Sequence, residues 1–183
     1  IASTGQYAGT ADGAEIPMRE RPSGRSAYTG GRQIPGMPDD VLGVTGGEGE
    51  GAWSTLRSKD RGTVFHETMH RWIKSFAIDD AEHLFRSVDP KMADALSNAL
   101  PTLTGGKAGR YAGNAAEETV VLLHTAVRTG DEATIDTFVK HDGSREEVMD
   151  FSRDTAKAMQ REISLRPDSP QKAIAERKLA DLV

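Results

Sequence analysis

From residue 60 onward the apolar positions recur with helical spacing. Val64, Phe65, Met69, Trp72, Ile73 and Phe76 fall on one stripe of a first helix. Asp79 and Asp80 are placed to cap a second helix, reaching about residue 87. Asp89-Pro90 opens a third, running to about residue 100, where Pro101 is expected to stop it. Residues 104–113 read as a glycine-rich loop. Helical patterns then fit 115–128, 131–140 and 145–163. Pro167 and Pro170 break the chain before a last amphipathic segment, 171–182.

The first third reads differently. Twelve of the 19 glycines and four of the eight prolines lie within residues 1–51. Residues 1–24 are expected to be a flexible or linker-like segment. A strand fits 25–34, with Gly30-Gly31 as a bend or bulge, and a second fits 52–56. Residues 46–51 read as a flexible loop. A few short strands followed by a run of helices predicts an α+β fold, mostly α, as a single domain over 25–183.

Composition removes several classes of function. The 183 residues contain no cysteine, so neither disulfides nor thiolate chemistry is available. The net charge is −5 without a dense basic patch, which argues against a nucleic-acid partner. No apolar run approaches the length of a membrane span. The chain begins with Ile1, and is read as a piece of a longer protein.

One motif carries chemistry. Residues 66–70 read His66-Glu67-Thr68-Met69-His70. Four residues apart on a helix, His66 and His70 share a face and can reach one metal ion. Both flank the apolar stripe, where a residue lining a cleft belongs. Glu67 points to the side, placed to take a proton from a water that the metal polarises. Zinc is the expected metal.

The stretch FHETMHRW resembles the active-site helix of the zincin metallopeptidases, which implies a zincin-like fold with this helix in a helical bundle. Ile73 and Phe76 stand where metzincins carry Gly and His, and no later GTxxD stretch is present. The glutamate-ligand type, the gluzincins, remains. Residues 110–124, RYAGNAAEETVVLLH, resemble the second motif of anthrax-lethal-factor-like toxin peptidases and of bacterial polymorphic-toxin and prophage-associated zincins. That resemblance implies a third zinc ligand among Glu117 and Glu118, and a Tyr111 that assists the tetrahedral intermediate. It also implies that the strand at 27–34 pairs with substrate. The chain departs from these families four residues after the ligand, where Val121 or Leu122 replaces a second acidic residue.

Spacing from Tyr111 favours Glu118 as the ligand, and spacing from Asn114 favours Glu117. Helix geometry favours Glu117, which lies about 90° from the centre of an apolar stripe formed by Ala116, Val120, Leu123 and Val127. Glu118 then falls opposite the stripe, in solvent.

The expected function is a zinc-dependent endopeptidase with His66, His70 and Glu117 as ligands, Glu67 as general base and Tyr111 as oxyanion donor. The resemblance implies the toxin or effector module of a larger bacterial or phage-borne protein, secreted or delivered into a target cell. A protein or peptide substrate, and an immunity or carrier protein, are the partners implied. Two alternatives stand beside this reading. One is a structural or interaction domain with a non-catalytic zinc, in which His124 fills the fourth position. The other is a metal-dependent hydrolase of a non-peptide amide. His124 otherwise reads as a structural histidine, and His83 and His141 as solvated surface residues. Gly105-Gly106-Lys107 is a mobile loop rather than a phosphate loop, and Glu48-Gly-Glu50 only faintly resembles the paired glutamates of ADP-ribosyltransferases.

Overall fold

A computed structural model describes residues 26–28, 43–46, 53–56, 60–78, 80–142 and 144–183. The readings of 1–24, of Gly30-Gly31, of Glu48 and Glu50, and of Asp79 lie outside the described residues. The chain is mostly helical, with a small sheet, in agreement with an α+β pattern. It divides into two compact units, one ending at Ala77 and the other Ile78–Val183. The division falls inside the stretch 25–183 that the pattern groups together.

The first unit joins three short strands to one helix. β1 (Ser26–Tyr28), β2 (Gly43–Gly46) and β3 (Trp53–Leu56) form a sheet in the order β1-β3-β2. β1 runs parallel to β3, and β2 antiparallel to it, with Thr45 opposite Ser54. β2 is not foreseen from the sequence pattern, which ends in a run of glycines and carries only Val44 and Thr45 as β-branched residues. α1 (Arg61–Ser75) starts at Asp60, whose carboxylate accepts the Thr63 N–H at 3.0 Å. It packs on β2 and β3. Phe65, Met69, Trp72, Ile73 and Phe76 are buried, as the stripe requires, and Phe65 meets Trp72 edge-to-face at 6.3 Å. This packing groups α1 with the strands rather than with the later helices.

The second unit is helical. α2 (Ala81–Val88) is capped by Asp80, and α3 (Pro90–Ser97) by Asp89 with Pro90 in its first turn. Pro101 does not end α3. It sits in the first turn of a further short helix, α4 (Leu100–Leu103), where its missing N–H has no partner to lose. A 3₁₀ turn, Ala108–Tyr111, interrupts the expected loop. α5 (Ala115–Thr129), α6 (Glu132–Asp142), α7 (Arg145–Ser164) and α8 (Pro170–Ala180) complete the order. α5 is the central helix, packed by α2, α3, α6 and α7. Gly130 ends it in the left-handed conformation at φ 70°. Lys172 of α8 is buried, and its ammonium donates to the carbonyls of Ser164, the last residue of α7, and of Arg166 just after it. No helix among the described residues is long and apolar enough to cross a membrane.

α5 does not use its own N-cap residue. Asn114 makes no capping hydrogen bond. The Glu82 carboxylate of α2 instead accepts the Ala116 N–H at 3.1 Å and the Glu117 N–H at 2.9 Å. One carboxylate thus satisfies two otherwise unbonded donors and places negative charge at the positive end of the helix. Replacing Glu82 with Ala should lower the unfolding free energy by about 1–2 kcal/mol, read from the denaturant midpoint. Replacement with Gln, which retains one acceptor oxygen, should cost less.

Candidate metal centre

α1 brings two imidazoles together. His66 and His70 are half-buried, and their Nε2 atoms lie 3.2 Å apart. Two lone pairs, or two N–H groups, would repel at that distance. The arrangement therefore calls for a single proton, or a shared cation, between the nitrogens. Two Zn–N bonds of about 2.0–2.1 Å at a tetrahedral angle place their nitrogens roughly 3.3 Å apart. The donor chemistry and the spacing of this pair thus fit zinc.

Glu67 is turned toward the sheet. It is 7% exposed. The Thr45 hydroxyl of β2 lies 2.6 Å from its Oε2, and 3.1 Å from its backbone oxygen. A threonine has one proton to give, and the shorter contact to a carboxylate is the stronger claim on it. β2 passes so close that a Cβ added at Gly43 would stand 2.6 Å from Glu67 Cγ and 3.0 Å from its Oε1. Glycine is demanded here by space, not by backbone conformation. One turn further along α1, Arg71 is held below its ordinary pKa by burial, opposed by the charge of Glu67.

The remaining candidates belong to the second unit. Both glutamates lie in the first turn of α5. Glu118 is 4% exposed, whereas Glu117 is half-buried. This corrects the expectation that Glu118 faces solvent; Glu117 keeps the half-buried border position expected of it. The apolar-stripe argument needs a helix with one buried side, and α5 is packed by four neighbours. Thr119, Val121 and His124 are buried alongside Val120 and Leu123, while Val127 is only half-buried. Tyr111 is half-buried at the end of the 3₁₀ turn, and its carbonyl accepts the Asn114 N–H at 3.0 Å.

His124 is fully buried between α5 and α7. Its Nε2 lies 3.0 Å from the Ser152 carbonyl and 2.9 Å from Thr155 Oγ1. A carbonyl only accepts, so Nε2 carries the proton. This is the structural role the sequence allowed as one alternative. His83 of α2 donates its backbone N–H to Asp80. The strand expected to pair with substrate, 27–34, is described only at its start, in β1. The strand that lies on the motif helix at Glu67 is β2, which sequence reading missed. Gly43 and Thr45 are the residues it contributes, and neither belongs to a motif. No protein-family model, curated protein or solved structure matches the chain.

Gly43→Ala should destabilise the protein by about 1–3 kcal/mol, the cost of overpacking a filled space. In a Glu67→Ala background, where the clashing Cγ is gone, the same substitution should cost much less; equal costs in both backgrounds would exclude the contact. His124 generates a pH dependence. Burial pushes its pKa down to about 4, against the hydrogen bond it donates to the Ser152 carbonyl. An unfolded-chain histidine titrates near about 6.5, so between these values the unfolded chain binds the additional proton. Stability from neutral His124 is therefore complete above that upper value and is lost as pH falls toward 4. The loss should approach about 3 kcal/mol, measured as the difference in unfolding free energy between the protein and its His124→Gln variant across that range.

Proposed function

We propose that the chain is a zinc-dependent endopeptidase of the glutamate-ligand zincin type, and the toxin or effector module of a larger bacterial or phage-borne protein. The observation that carries the reading is the His66–His70 pair. Two imidazole nitrogens stand 3.2 Å apart on one helix, with a buried carboxylate between them in sequence. Of the two carboxylates in the first turn of α5, Glu118 is the buried one. Glu118 therefore replaces Glu117 as the proposed third ligand. Two imidazoles and one carboxylate are a donor set suited to zinc, and leave a position open for chemistry.

When bound, zinc supplies Lewis acidity toward a scissile carbonyl and the attacking water. Glu67 accepts the proton of that water and delivers it to the leaving amine. Thr45 and the close approach of β2 limit where the Glu67 carboxylate can go. Tyr111 is the proposed hydrogen-bond donor to the oxyanion. The substrate is a protein or peptide. The rival reading, a closed structural zinc, needs a fourth protein ligand. His124 was its candidate; its Nε2 proton is engaged by Ser152 and Thr155 of α7, which leaves the lone pair on Nδ1.

Protein purified without chelator should contain about one zinc per chain by elemental analysis, and Glu118→Ala should weaken zinc binding at least tenfold where Glu117→Ala does not. Glu67→Gln should retain zinc and lose cleavage of a proteome-derived peptide pool, on the order of 10²-fold or more. A zinc content that stays near zero after zinc addition, or undiminished cleavage by Glu67→Gln, would overturn the proposal.

A further inference from the structure

The described strand that reaches Glu67 is β2, and its contact is made by two residues that no catalytic motif contains. A carboxylate only accepts hydrogen bonds, so in the 2.6 Å contact Thr45 Oγ1 must be the donor. Having spent its proton there, Thr45 can only accept from Ser54, whose Oγ lies 2.9 Å away. Ser54 is 1% exposed and sits directly opposite Thr45 across the antiparallel β2–β3 pair. The proton order is thereby fixed: Ser54 donates to Thr45, and Thr45 donates to Glu67 Oε2. The sheet register that pairs Thr45 with Ser54 sets the direction of the hydroxyl.

Gly43 supplies the second half of the device. It lies two residues before Thr45 on the same strand, so both positions face the same side of the sheet. Its missing side chain admits Glu67 Cγ and Oε1 against the backbone. Thr45 takes one carboxylate oxygen. Oε1 has no protein hydrogen bond among the described residues, and is the oxygen left for a water.

We propose that Thr45, oriented by Ser54 and given room by Gly43, is the positioning residue that holds Glu67 in the geometry of a general base. This inference rests on the hydrolytic reading above. A base that swings through its rotamers spends little time aimed at its water, and a locked one is always aimed. Loss of such a supporting hydrogen bond typically costs about 10–100-fold in activity.

The test uses Thr45→Val, which keeps the shape without the hydroxyl, Thr45→Ser, which keeps the hydroxyl, and Ser54→Ala, which leaves Thr45 unoriented. The substrate is the best-cleaved peptide from a proteome-derived pool. Thr45→Val should lower kcat at least tenfold with KM and zinc content unchanged, Thr45→Ser should stay within about twofold, and Ser54→Ala should fall between them. A second readout is independent of turnover. In zinc-free protein labelled with 13C at the glutamate carboxyls, the Glu67 resonance, assigned by its loss in Glu67→Gln, should move in Thr45→Val and return in Thr45→Ser. If Thr45→Val does not fold, Ser54→Ala carries both readouts. Full turnover by Thr45→Val beside an inactive Glu67→Gln would overturn the positioning role and leave the hydrolytic reading standing. Absence of cleavage by the unmodified protein, or full turnover by Glu67→Gln, would remove both. An unmoved Glu67 resonance in Thr45→Val would remove the hydrogen bond itself.

Discussion

The first unit is organised by a single demand: a carboxylate taken out of water must be given a donor. Glu67 follows His66 on α1, and its side chain is directed into the sheet. Thr45 answers the demand on one oxygen, and the absence of a side chain at Gly43 lets β2 lie close enough for Thr45 to do so. The pairing of β2 with β3 then has to be in the register that sets Thr45 against Ser54. A shift of one residue would turn Thr45 to the other face of the sheet and leave the carboxylate buried alone. Strand register, glycine placement and the geometry of the motif helix are therefore one problem with one solution.

The second unit solves a similar problem with different means. α5 is surrounded by four helices, so its polar groups cannot rely on water. Its first turn takes the Glu82 carboxylate from α2 as its cap. Its His124 side chain finds the Ser152 carbonyl and the Thr155 hydroxyl on α7. A buried imidazole is tolerated only in its neutral form, which is why its pKa falls to about 4. The same logic applies to Lys172, whose ammonium is bonded to two carbonyls at and just past the end of α7 and to Asp168. In each case a side chain from a neighbouring helix completes what the local sequence leaves unpaired.

These two units differ in what a reader of the sequence can use. The elements of the second follow from signals that act within a few residues: Asp80, Asp89, Ser144 and Ser169 as caps, Pro90 and Pro170 in first turns, Gly130 at a C-terminus. Pro101 shows the limit of that grammar, because proline can start a helix as readily as it stops one. β2 shows another limit. A four-residue strand ending in glycine has no local signature, and it exists because β3 and α1 are there to pair with and cover it.

The sequence by itself determined the helical spacing of His66 and His70, since residues four apart on a helix must share a face. It likewise determined the apolar stripe that buries Phe65, Met69, Trp72, Ile73 and Phe76, and the caps that bound most helices. It did not determine which carboxylate of α5 is the buried one. That choice depends on how many sides of the helix are covered, and periodicity within one helix carries no record of its neighbours. Nor did it reveal Gly43 and Thr45, which lie more than 20 residues before Glu67 and meet it only when a strand pairs and a helix packs. Local hydrogen-bond geometry is written in adjacent residues, whereas the environment of a buried charge is supplied by segments distant in the chain, and only tertiary structure brings those together.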